Sequence, residues 1–219
     1  MDAGDVATRP VPARRDASSR GLAVLLVLGS GLLALPFAPA AISLVREQLH
    51  IRCGMGPPGS EGADTWTCSD GIGYLGAAVT LGGMWLIAVL VGSLIAGLVR
   101  RDLVARIALV LLALMATAWV LGWTWYGSNE LVGDAYSPMT GPEYWVTSVG
   151  FAALASAAAF AAGLGSLLLA GRAARVACAA AAIGLAAATV LQPGLGINTV
   201  PAAGLLAAAA LMTQPAKRG

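Results

Sequence analysis

VACAAAAIGLAAATVLQPGLGINTVPAAGLLAAAALM, residues 176–212, runs for 37 residues without a charged side chain. One helix rising 1.5 Å per residue needs about 20 residues to cross a hydrocarbon core of about 30 Å, so this stretch is nearly twice what one crossing requires. At its centre stands Gln192-Pro193-Gly194-Leu195-Gly196. Proline removes a helix hydrogen bond and glycine permits turn geometry, so the chain should break here. The reading is two short alanine-rich crossings, about 176–191 and 197–213, with a single tilted, kinked helix as the alternative.

Working outward, four more apolar runs without charge occupy residues 21–45, 73–99, 107–126 and 144–171. Over the 219 residues, 58% are hydrophobic and 11% charged, where a soluble globular domain carries about 25% charged residues. The fold class is therefore all-α, a polytopic transmembrane helix bundle with six spans. A net charge of +2 is too small to attract nucleic acid or an acidic partner through a general field.

Charge sets the number of crossings and the orientation. With the tail before the first span inside, Arg9, Arg14, Arg15, Arg20, Arg100, Arg101, Arg106, Arg172 and Arg175 fall inside, and Arg46 and Arg52 outside. Six crossings also bring Lys217 and Arg218 inside, giving eleven positive charges against two, whereas five would strand that last pair outside. Both termini are thus expected in the cytoplasm. Residues 1–20 form a disordered tail, 46–72 and 127–143 two outer loops, and 214–219 a second cytoplasmic tail. A cleaved signal peptide is the alternative for the first span, since Ala38-Pro39-Ala40 fits a small-x-small cleavage site, but the apolar run continues past it through Ile42 and Val45. Arg14-Arg15 lacks the surroundings of a twin-arginine signal. Arginine outnumbers lysine twelve to one beside abundant alanine, glycine and proline, a bias of GC-rich bacterial genomes that points to a bacterial plasma membrane.

Aromatic residues gather at one boundary: Tyr74 opens the second span, Trp123, Trp125 and Tyr126 end the third, and Tyr144 and Trp145 open the fourth. Rings with an apolar body and a polar tip favour the headgroup layer, so these six are expected to anchor the outer interface. Small residues recur at intervals of four in the fourth span (Ala155, Ala159, Gly163) and the fifth (Ala180, Gly184, Ala188). Such stripes let helix backbones approach, although 46 alanines make the pattern common by composition alone. Pro36 and Pro39 should kink the first span.

Chemistry has few places to reside. The spans carry no ionised residue of the sort that marks proton relays and voltage sensors. Scattered Ser and Thr should bond back to their own helices, with Gln192 and Asn198 near the outer turn. In the outer loop, Cys53 and Cys68 lie on the oxidising side of this topology, and a disulfide between them would brace a glycine- and proline-rich segment. The alternative is a metal held by His50, Cys53, Cys68 and Asp70, although their spacing fits no compact metal motif. Cys178 reads as a small buried residue. Glu130, Asp134 and Glu143 in the second outer loop could serve as acid and base or gather a cation, and solvation is the plainer reading. Nucleotide-binding, hydrolase-elbow and zinc-protease motifs do not occur.

These features lead to a non-enzymatic multi-pass membrane protein, with neither cofactor nor metal, that packs in the lipid bilayer against another membrane protein or a second copy of itself. Its rivals are a small-molecule or lipid transport component, with the kinked first span and the 192–198 break lining a path, and a membrane enzyme using His50, Glu130, Asp134 and Glu143.

Overall fold

Prolines 36 and 39 shape the first span. Helix α1 (Arg14–Ala34) tightens into a 3₁₀ turn at Leu35–Phe37, resumes as α2 (Ala38–Ser43) and widens into a π turn at Leu44–Gln48. Each proline stands at the start of the segment it opens, where a missing N–H is not needed. The kink is thus spread over three changes of winding within one apolar span, Ser18–Gln48. The computed structural model describes residues 14–61, 63–69, 71–130 and 136–213.

Five further spans follow. Helix α3 (Leu75–Leu98) is led by a 3₁₀ turn at Gly71–Tyr74; then come α4 (Asp102–Glu130), α5 (Gly141–Leu168), α6 (Gly171–Leu191), a 3₁₀ turn at Pro193–Leu195 and α7 (Gly196–Leu211). The six spans are long and apolar enough to cross a bilayer, and the protein is an all-α multi-pass membrane protein. The charge-free stretch 176–212 does hold two helices. Gln192 caps the 3₁₀ turn between them, its Oε1 accepting from Gly194 N at 3.2 Å.

Several boundaries move outward from those set by charge alone. Residues 14–20, assigned above to the disordered tail, continue α1, because Arg20 is held across the bundle by Asp102 at 2.7 Å. Helix α4 runs to Glu130 and α5 begins at Gly141, which shortens the second outer loop. Helix α6 begins at Gly171, five residues before the uncharged run, since Arg172 and Arg175 are exposed on its first turns and disturb no packing. Arg9, Lys217 and Arg218 lie outside the described residues, as do Asp70 and Asp134.

Helix α7 is the axis of the bundle. In its most apolar window 78% of the residues are buried, against 28% in the first, second and fourth spans. It packs on α1, α3, α4 and α6, while α5 lies chiefly on α6. Small residues make this possible: Gly204 abuts Ser30 of α1, Leu205 fills the notch left by Gly92 of α3, and Gly194 abuts Leu44. Two apolar cores stack along the axis. One holds Ala23, Val27, Leu109, Leu112, Leu205 and Leu206; the other, towards the loop bearing Cys53, holds Leu44, Leu49, Ile51, Tyr74, Val120, Val149 and Leu195.

The loop bearing Cys53 folds into a hairpin of β1 (Cys53–Met55) and β2 (Trp66–Cys68), paired antiparallel with Cys53 opposite Cys68. The two cysteines form a disulfide.

Candidate functional site

The bundle has two chemically distinct ends. At the hairpin end, the backbone leaves the π turn through His50 in the left-handed region, φ 48°, which lays the imidazole flat on Trp66 of β2. The ring centroids are 4.1 Å apart with an interplanar angle of 5°. Tyr144 of α5 meets the imidazole edge-on at 4.9 Å. Burial depresses the imidazole pKa below its usual 6.5. Tyr74 donates to Ile51 O at 3.1 Å beneath the disulfide. Nearby, Gln192 Nε2 donates to Gln48 Oε1 at 2.8 Å and to Ser148 O at 2.7 Å, tying the α6–α7 turn to the first and fourth spans.

The hairpin's position changes the role of two residues expected at the lipid headgroups. Tyr74 and Tyr144 are 5% and 9% exposed, because Ile51, His50 and Trp66 cover them. Trp125 and Tyr126 are exposed, while Trp123 and Trp145 are half-buried. Trp145 donates to Thr124 Oγ1 at 3.0 Å and meets Trp125 edge-on.

Among the described residues, those considered for metal and acid–base chemistry do not converge. Cys53 and Cys68 are spent in the disulfide, so neither can offer a thiolate, which overturns the four-ligand reading. Glu143 caps α5, its Oε2 accepting from Thr140 N at 2.7 Å and Thr140 Oγ1 at 2.9 Å. Glu130 is exposed at the end of α4. Among the described residues, no group of three or more His, Cys, Asp or Glu could hold a metal ion.

Of the small residues singled out above, Gly184 of α6 lies against Ala159 and Ala155 of α5, where an added Cβ would come within 3.0 Å of the Ala159 Cβ. Gly163 faces Leu114 of α4 and Leu206 of α7 instead. Ala188 is buried, whereas Ala180 points out of the bundle. Outward-facing residues differ in part from side to side. Between Leu22 and Leu33 the exposed positions of α1 are all leucine, and between Val79 and Leu94 those of α3 are Val79, Leu86, Ile87, Leu90, Val91 and Leu94. On α5 and α6 the exposed set mixes Ala157, Ala158, Ala161, Ala173, Ala180, Ala186 and Ala187 with large side chains such as Phe151, Leu154, Leu164, Val176, Ile183 and Val190.

The opposite end gathers arginine. Arg20 donates to Val99 O and Arg100 O, each at 2.6 Å, and to Asp102. Arg175 donates from Nε to Thr213 Oγ1 at 3.1 Å and from Nη2 to Thr213 O at 3.0 Å. Arg106, which sequence reasoning used only as an orientation charge, is 6% exposed inside the second turn of α4. Its signal in the sequence was its place four residues after Asp102, which allows α4 to begin before it. In the bundle interior, Asn198 is fully buried, and its side-chain N and O have no hydrogen-bond partner among the described residues. Comparisons with models of known protein families, with curated protein sequences and with solved structures find no match to this chain.

Proposed function

We propose that this protein is a non-enzymatic accessory component of a bacterial plasma membrane that docks a transmembrane helix of another membrane protein on its α5–α6 face, with both termini in the cytoplasm. The observation that carries the reading is the set of exposed alanines on α5 and α6, few of which have a counterpart on α1 and α3. Leucine and other large aliphatic side chains on α1 and α3 suit lipid, whereas on α5 and α6 exposed alanines stand between large side chains such as Phe151, Leu154, Ile183 and Val190 and leave gaps where a partner backbone can approach closely. The arginines clustered at one end support the orientation.

The transport alternative has less to stand on, because α7 occupies the centre where a path between the spans would run. The enzyme alternative loses Glu143 to the α5 cap and His50 to its stack with Trp66.

A photo-crosslinking amino acid placed in turn at positions 157, 180, 25 and 90, in native membranes, tests the docking face. Positions 157 and 180 should give discrete protein adducts, and positions 25 and 90 lipid adducts alone. An adduct of twice the chain's mass would replace the foreign partner by a second copy. Equal yields at all four positions would refute the reading.

A further inference from the structure

A cavity of about 490 Å³ opens at the arginine-rich end, between the start of α4, the α5–α6 turn and the end of α7. Arg101, Asp102 and Arg106 supply its polar wall, with Thr213 at the rim; Leu103, Leu167, Leu169 and Met212 supply an apolar one. Three observations converge on its ligand. First, Arg106 is 6% exposed and makes one long bond, Nη2 to Leu169 O at 3.4 Å, while its buried Nε has no partner among the described residues. A buried guanidinium with an unused N–H is costly unless an acceptor reaches it. Second, the carboxylate on this wall, Asp102, shares its charge with Arg20 at 2.7 Å, while two arginines, Arg101 and Arg106, line the same wall. Third, α6 begins at the cavity with Ala170 as its N-cap, and no side chain caps it, so the first N–H groups and the positive end of a 21-residue helix lie beside the guanidinium.

We propose that this cavity binds a phosphate oxyanion, held by the guanidinium of Arg106 and the first backbone N–H groups of α6, with Arg101 closing the mouth. The planar guanidinium offers parallel N–H donors that match phosphate geometry, and the apolar wall beside it suits an acyl chain or glycerol backbone. An anionic phospholipid headgroup and free inorganic phosphate share this chemistry. The site is independent of the α5–α6 docking face and stands or falls separately.

The test uses the full chain, purified in mild detergent and examined by native mass spectrometry with phosphatidylglycerol, with phosphatidylcholine, or with inorganic phosphate alone. Phosphatidylglycerol should be retained at least about tenfold more strongly than phosphatidylcholine, a preference that Arg106→Gln abolishes and Arg106→Lys, which keeps the charge but not the fork, weakens several-fold. Arg172→Gln, which removes an exposed arginine from the same end, should change retention less than about twofold. Binding of inorganic phosphate that depends on Arg106, without lipid preference, would support the site and assign it to a soluble anion. Circular dichroism checks that each variant is folded, and if Arg106→Gln is not, the Lys variant against Arg172→Gln decides. Equal retention of both lipids with no phosphate binding, or equal losses at positions 106 and 172, would overturn the proposal.

Discussion

Placing a single methyl group at Gly204 tests whether α7 is the packed axis of the bundle. A Cβ there would collide with the Cβ and Oγ of Ser30 on α1 and come within 3.2 Å of Leu26 O. The hydroxyl can rotate away, but the Ser30 Cβ is fixed in place by the α1 backbone and the Leu26 carbonyl is part of it, so neither can move without shifting the helix. Overpacking of this kind costs about 1–3 kcal/mol, while replacing glycine by alanine in a helix returns about 0.5–1 kcal/mol. Gly204→Ala should therefore destabilise by about 1–2 kcal/mol. Gly82→Ala in α3 is the control: nothing lies within 4 Å of its added Cβ, so only the gain in helix propensity is left and the sign reverses. Ser30→Gly removes the colliding atoms, and with them the bond from Ser30 Oγ to Val27 O at 2.9 Å. The double variant Ser30→Gly/Gly204→Ala should then be less destabilised than the sum of its parts by at least about 1 kcal/mol. Unfolding of the detergent-solubilised protein by sodium dodecyl sulfate, followed by circular dichroism, reads all four proteins. Equal stabilities for the Gly204 and Gly82 variants, or strict additivity in the double, would refute the close approach of α1 and α7.

Two further outcomes follow from the hairpin end. Replacing both Cys53 and Cys68 by alanine opens a loop with a sequence separation of 15 and should cost about 3 kcal/mol in the chain-entropy model, read as faster proteolysis between residues 53 and 68 while the helical content stays unchanged; equal cleavage rates would count against it. Because burial lowers the His50 pKa below 6.5, the folded state binds a proton less readily than the unfolded one. Stability should be complete above that value, decline as pH falls from 6.5 to the lower folded pKa, and level off beneath it; His50→Gln should flatten the decline, and an unchanged pH profile in that variant would refute the assignment.

How much of this was legible in advance differs from element to element. The spans were legible because a bilayer imposes a local rule: every backbone polar group in lipid must bond within its own segment, so each crossing advertises itself as a charge-free run of fixed minimum length. The break at Pro193 was legible for the same local reason, and the pairing of Cys53 with Cys68 followed from the topology. The ends of the helices were less legible, since charged residues such as Asp102, Arg172 and Arg175 are compatible with helix once they stand at the rim. The inward turn of Tyr74 and Tyr144 was not legible, because an aromatic at a span boundary looks alike whether lipid or a hairpin covers it.

The sequence alone marked the charge-free apolar runs, the break at Pro193 that can divide the last of them, and where positive charge collects. Only the tertiary structure decided that the last helix, rich in glycine and alanine, is the axis rather than part of a peripheral hairpin. A run of small residues permits close approach from any direction, and which direction is used depends on the notches that other helices present, such as Gly92 receiving Leu205. Tertiary packing likewise turned Arg106 from one orientation charge among many into a buried cation with an unused donor. Burial is a property of the neighbours brought around a residue, and α5, α6 and α7 reach Arg106 from far along the chain.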